Sequence, residues 1–251
     1  MKMRKLQMTV LSCALIGLSV YAGYKMYTIN NPSIVQASEN KEEGSVIEDA
    51  SANVEDIFSS LVGTKNTTEE DVKNMPSNYE NAKKINHDTI GWIVVDGTNI
   101  NYPIMHGSNS YYLNRSWDKK RSRNGAIFLE ESQAGFQPVT LVHGHNMLNN
   151  KMFSQLERFK TKDFFNQGHI IYIYDGKTTR KFKAISAFLT DPGINLSLGL
   201  TDPQGIKEYA STLTKKNMFG AREVTDKDLL ILNTCMSDGT QNHLIVISQE
   251  I

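Results

Sequence analysis

Cysteine is nearly absent. The chain holds two, Cys13 and Cys235, and no C-x-x-C pair, so structural zinc held by thiolates is not expected. Cys13 lies in an apolar N-terminal segment, and a disulfide between the two is geometrically implausible. An excess of charge of one sign is missing as well. Lys plus Arg and Asp plus Glu stand at 27 each, so the chain as a whole carries no electrostatic footprint for nucleic acid. There is no internal repeat. The 251 residues suit a membrane segment and one domain of ordinary size.

One long hydrophobic run is present. Residues 6–24 are uncharged, follow Lys2, Arg4 and Lys5, and end at Lys25. As a helix the run is about 28 Å long, close to the hydrocarbon thickness of a bilayer. The basic flank is expected to stay in the cytoplasm, leaving the rest of the chain outside the cell. A cleaved signal peptide is the rival reading. Val35-Gln-Ala37 resembles a cleavage site but lies far beyond the run, so an uncleaved anchor over residues 1–27 is expected. Residues 28–70 are polar and read as a stalk or linker, partly helical. Thr68 followed by Glu69, Glu70 and Asp71 is a helix start. The domain itself is assigned to residues 71–251, with a short helix over residues 76–85.

Strand signals then dominate. Residues 90–95 and 100–105 flank an Asp96-Gly97 turn, and residues 170–174 and 179–189 flank Asp175-Gly176. Pro103 argues for an edge strand or a bulge. Residues 125–129, 139–143, 229–235 and 244–248 read as further strands. Helices are expected over residues 149–159, and from Asp202-Pro203 to about Lys216, where Asp caps and Pro takes the first position. Seven or eight short strands with few helices imply a mainly β domain, a barrel or a sandwich.

Two stretches bear on chemistry. Cys235 ends the apolar strand 229–235, where a substrate can reach a thiol. A free cysteine is often mere core filling. His143-Gly-His145 follows another strand and is open to three readings: two solvated histidines, a metal pair with both imidazoles on one side, or a single catalytic His145 partnering Cys235. A metal site needs a third ligand, and no acidic residue follows until Glu157.

The residues Asn99-Ile-Asn-Tyr-Pro-Ile104, Tyr111-Tyr-Leu-Asn114, Gly125-Ala-Ile-Phe-Leu129, Leu141-Val-His-Gly-His-Asn-Met147 with Met152-Phe153, and Leu232-Asn-Thr-Cys235 occur in this order. Together they resemble the successive motifs of class B sortases, from about Tyr79 to the end. The resemblance implies a closed eight-stranded β-barrel with N-terminal helices and one long helix inserted before the cysteine strand. It implies a membrane-anchored cysteine transpeptidase of Gram-positive bacteria. Cys235 would form a thioester with the sorting-signal peptide of a surface or pilin protein, and His145 would shuttle the proton. The acyl acceptor would be an amine, from a peptidoglycan precursor or a pilin lysine. No cofactor and no metal are implied.

One departure stands out. The family carries an arginine on the strand after the cysteine, and no arginine follows Cys235. His243 occupies that slot, with Asn242 beside it. Thr234, Asn109, Leu113 and Asn242 are the expected substrate-side residues. Met147, Met152 and Phe153 are read as core, and His87, His106 and His169 as surface residues. The alternatives are a metal-dependent hydrolase using His143, His145 and His243 around Cys235, and a catalytically impaired membrane-tethered scaffold.

Overall fold

The computed structural model describes residues 66–192, 194–196, 199–235 and 242–251, and at Cys235 the backbone. The expected anchor and most of the stalk lie outside these residues. Among the described residues no helix is long and apolar enough to cross a membrane.

Helix α1 (Glu69–Lys73) opens on a reciprocal cap. The Thr68 hydroxyl accepts from the Asp71 amide, and the Asp71 carboxylate accepts from the Thr68 amide, satisfying two otherwise orphaned donors. Helix α2 (Met75–Ile85) buries Met75, Tyr79 and Ala82 against the barrel. Its N-cap is Asn74, whose carbonyl accepts from the Ser77 hydroxyl.

Eight strands follow: β1 (Thr89–Val95), β2 (Asn101–Met105), β3 (Ile127–Leu129), β4 (Val139–His143), β5 (Ile170–Tyr174), β6 (Thr179–Thr190), β7 (Leu229–Cys235) and β8 (His243–Glu250). They close into a barrel in the order β1-β2-β3-β4-β7-β8-β6-β5. The β2–β3 and β4–β7 pairs are parallel and the others antiparallel. Short helix α3 (Asn109–Tyr112) lies between β2 and β3, α4 (Lys162–Gln167) precedes β5, and α5 (Pro203–Thr214) stands between β6 and β7. Asp202 caps α5 by accepting from the Gly205 amide.

The unbroken apolar runs of β7 and β8 have a packing cause. Leu230, Leu232, Leu244 and Val246 face the barrel interior with Trp92, Ile104 and Phe128. Leu229, Ile231, Ile245 and Ile247 face outward, under Ile206, Ala210 and Leu213 of α5. With both faces covered, alternation gives way to continuous hydrophobicity.

Three expectations are corrected. A closed barrel has no edge for Pro103. Instead β3 pairs only with Ile104 and Met105, so the proline lies where β1 is the sole partner and its missing N–H costs little. The helix expected over residues 149–159 is a 3-10 segment at Ser154–Lys160; positive φ angles at Asn150 and Met152 keep the preceding residues out of it. His169 is not a free surface residue. Its ring contacts Asp96 Oδ2 at 3.0 Å and Gln167 Oε1 at 2.8 Å, stacked on Phe164.

Candidate active site

Strand register builds the site. His143 ends β4 and lies opposite Asn233 of β7. His243 opens β8 opposite Cys235, and Asn233 opposes Ile245. His243 and Asn233 are therefore diagonal neighbours on one face of the sheet. A row of polar side chains results, ending at Glu130, just past β3.

The row is hydrogen-bonded throughout. His143 Nε2 lies 2.9 Å from Glu130 Oε2, Asn233 Nδ2 is 3.1 Å from His143 Nδ1, and Asn233 Oδ1 is 2.8 Å from His243 Nδ1. The Asn109 side chain donates to Glu130 Oε2 at 3.1 Å, and its backbone amide donates to Glu131. The hydrogen bond from His143, then that from Asn109, hold the Glu130 carboxyl at about 2 despite its burial. An ionised carboxylate only accepts, so His143 Nε2 donates to it. Asn233 Nδ2 has only hydrogens to offer, so His143 Nδ1 accepts from it. Asn233 Oδ1 then requires an N–H on His243 Nδ1. Burial, followed by the neighbouring His143, pushes His243 below the ordinary imidazole value.

His145 is placed by glycines and a carbonyl. Gly144 lets the chain pass where a Cβ would meet Ile127 Cδ1 at 2.4 Å and Phe153 Cδ2 at 2.7 Å. Two residues past His143, the His145 ring turns to the β2–β3 connection and donates from Nε2 to the Leu113 carbonyl at 2.8 Å. Gly125, at φ +61°, leaves room for the ring; a Cβ there would meet His145 Cδ2 at 2.8 Å. Nε2 is thus committed to a carbonyl, and Nδ1 has no hydrogen-bond partner among the described residues. The carbonyl fixes the tautomer and would stabilise an imidazolium, as an oriented carboxylate does in hydrolase triads.

A cavity of about 250 Å³ joins these groups; Asn109, Leu113, His143, His145, Asn233, Thr234 and His243 all line it. Thr234, expected on the substrate side, is 2% exposed and its hydroxyl has no hydrogen-bond partner among the described residues. Buried hydroxyls are normally satisfied, so this one is available to a group entering the cavity. Asn109 and Leu113 line the same cavity, and the Asn109 side chain is held by Glu130 and Glu131. Asn242 is half-buried before β8 and is not part of the lining. Phe153 is core as expected, fully buried.

The three histidines do not converge on one point. His143 is engaged through both nitrogens, and an amide separates it from His243. Among the described residues no three His, Cys, Asp or Glu side chains group as a metal site. Residues that sequence reasoning missed are Glu130, Asn233 and the Leu113 carbonyl. Asn233 stood inside the cysteine motif as an ordinary strand residue, and only its register against His143 marks it.

The chain belongs to the sortase family: the Sortase domain family model matches residues 93–251. Sortase B of Staphylococcus aureus (strain NCTC 8325 / PS 47) is 28% identical over 182 residues, covering 69% of this chain and 74% of that relative. The crystal structure of Clostridium perfringens sortase B is 29% identical with a TM-score of 0.61, covering 68% of this chain and 98% of that one. The Staphylococcus aureus sortase B–substrate complex shares the barrel, with a TM-score of 0.64 and 24% identity over 83% of this chain and 99% of that one. These relatives place the chain in class B. It is an enzyme, a cysteine transpeptidase acting on surface proteins.

Proposed function

We propose that the chain cleaves the C-terminal sorting signal of secreted surface proteins by way of a thioester on Cys235. Cys235 as thiolate attacks the scissile carbonyl, and the resulting C–O⁻ is the charge to be stabilised. The C–N bond breaks as His145 gives a proton to the leaving amine from Nδ1, while Nε2 stays on the Leu113 carbonyl. An incoming amine, from a cell-wall precursor or a pilin lysine, then attacks the thioester. It loses its proton to His145, and the acyl group passes to it as an amide. His243 stands in the slot of the family arginine and donates to the oxyanion when protonated. Thr234, Asn109 and Leu113 form the substrate side, with Asn242 at its rim. No metal takes part in these steps.

The observation that carries this reading is the cavity uniting His145, Thr234 and His243 at the end of the strand that closes on Cys235. The test is a sorting peptide incubated with the full chain and hydroxylamine. A thioester yields the peptide hydroxamate, and Cys235→Ala yields none. Hydroxamate formed by the Cys235→Ala protein, or turnover abolished by a chelator, would overturn the reading in favour of a metal-dependent hydrolase. No hydroxamate from the wild type on any sorting peptide would favour the impaired scaffold.

The same proposal places the chain in the cell membrane through residues 6–24, with residues 71–251 outside. Lys2, Arg4 and Lys5 before the run support that orientation. Protease added to intact cells should remove the domain and leave a short membrane-bound remnant.

A further inference from the structure

Between α3 and β3 the chain makes an ordered excursion over residues 114–124 that carries five cations: Arg115, Lys119, Lys120, Arg121 and Arg123. Arg115 and Arg121 form an antiparallel bridge, the Ser122 amide donates to the Asn114 carbonyl at 3.1 Å, and Lys119 turns the chain at φ 66°. Trp117 anchors the excursion inward, its carbonyl accepting from Asn86.

The cations divide into two sets. Lys119 pairs with Asp88 at 3.1 Å and Lys120 with Asp118 at 2.7 Å. Both of these carboxylates are thereby taken by lysines. The three arginines have no carboxylate within ion-pair distance among the described residues. Arg115 lies over the Tyr111 ring and donates to the Lys119 carbonyl. Together the arginines line a cavity of about 550 Å³, with Asn114 and Ser122 as further polar groups.

Three arginines lining one cavity give its wall a positive charge that a bound anion would offset. Their planar forks match the oxygens of a phosphate. The cavity is of small-molecule size, so the phosphate belongs to a larger molecule rather than filling the space alone. The excursion leaves from Leu113, whose carbonyl holds His145, and returns at Gly125, on which the His145 ring packs.

We propose that this arginine cavity is a phosphate-binding subsite, and that it holds the phosphate or pyrophosphate group of the incoming amine acceptor. The acceptor role rests on the acyl-transfer reading above; the binding of the anion does not.

Calorimetric titration of the full-length protein with inorganic pyrophosphate tests the site, with sodium chloride at matched ionic strength and succinate as controls. Saturable binding of one pyrophosphate per chain is expected. It should be about tenfold or more weaker in the Arg121→Gln/Arg123→Gln variant, with partial recovery in Arg121→Lys/Arg123→Lys. Cys235→Ala should bind like the wild type. No saturable binding, equal binding by the glutamine variant, or succinate binding as tightly as pyrophosphate would each overturn the site. Melting temperatures confirm that the variants fold, and a glutamine variant that does not is replaced by Arg123→Gln alone. The acceptor role is read from acyl transfer to 6-aminohexyl phosphate relative to 6-aminohexanol. A preference for the phosphate in the wild type that falls in the glutamine variant is expected, and an unchanged ratio overturns that role. Pyrophosphate binding without any acyl transfer would leave the site standing and sink the acyl-transfer reading instead.

Discussion

Asn233 accepts a hydrogen bond from His243 Nδ1 across 2.8 Å while its amide nitrogen donates to His143. One amide thereby orients two imidazoles. With Nδ1–H committed to Asn233, His243 presents a second N–H, at Nε2, only when the ring is protonated. Burial and the nearby His143 make that protonation harder. On the proposed reading, the residue in the slot of the family arginine is therefore a weaker oxyanion donor at neutral pH than in acid.

His243→Arg supplies a permanent cation with two forks of donors. A missing oxyanion donor typically costs on the order of a hundredfold in rate. Turnover of a sorting peptide at about pH 8 should therefore rise by roughly ten- to a hundredfold in this variant. The gain should shrink as pH falls below about 6.5, where the wild-type imidazole begins to charge. Lower turnover in His243→Arg at every pH would show that His243 has no such role.

Asn233→Asp inserts a carboxylate between the two rings. An opposite charge at hydrogen-bond distance favours the imidazolium, so His243 should titrate at higher pH. The pH dependence of kcat for the variant should move upward by about one pH unit. Asn233→Ala, which cannot charge either ring, should not show that shift. Identical profiles for Asp and wild type would separate His243 from the rate.

Thr234→Val keeps the shape of a buried side chain and removes a hydroxyl with no partner among the described residues. Loss of an unsatisfied polar group should stabilise the fold by about 0.5–1 kcal/mol. If the hydroxyl meets the substrate, KM should rise several-fold at the same time, and Thr234→Ser should restore it. A variant that is both more stable and equally active would make the hydroxyl a bystander.

Glu130 carries a pH signature of its own. Its folded value of about 2 lies below the ordinary 4.5. The unfolded chain therefore takes up the proton first, and the carboxylate's stabilisation is complete above pH 4.5 and lost as pH falls toward 2. Glu130→Gln should cost about 1–2 kcal/mol at neutral pH, discounted for partial exposure. The gap in denaturant midpoint between it and wild type should close in acid. A gap independent of pH would mean that packing, not charge, is what Glu130 supplies.

Much of the barrel was readable because strands announce themselves locally. Asp96-Gly97 and Asp175-Gly176 fixed two hairpins, and Asp202-Pro203 marked the start of α5. His145 is marked as a candidate by its neighbours in sequence. The tie between Asn233 and His243 was not, because it arises from β7–β8 register, which depends on how strands slide past one another rather than on either strand alone. The 3-10 segment was misread for a similar reason. Its hydrophobic spacing fits an α-helix, while the left-handed Met152 and the bridge between Asn146 and Met152 bend the preceding residues away from one. Pro103 misled because a rule for edges was applied to a sheet that has none.

Gly125→Ala tests how His145 is held without touching a polar group. The position is left-handed at φ +61°, and the new methyl would meet His145 Cδ2 and the Tyr112 carbonyl at 2.8 Å, and the Leu113 carbonyl at 2.9 Å. The backbone conformation alone should cost about 1–3 kcal/mol. Relief of the contact displaces either the ring or the carbonyl that accepts from it, and a misplacement of about 1 Å at a reacting group can cost a hundredfold in rate. The expected result is therefore a fall in kcat larger than the loss of stability explains, measured well below the melting temperature. Gly144→Ala, which collides with Ile127 and Phe153 rather than the ring, should instead lower stability first. Equal behaviour of the two variants would mean that the seat on Gly125 has no special part in orienting the imidazole.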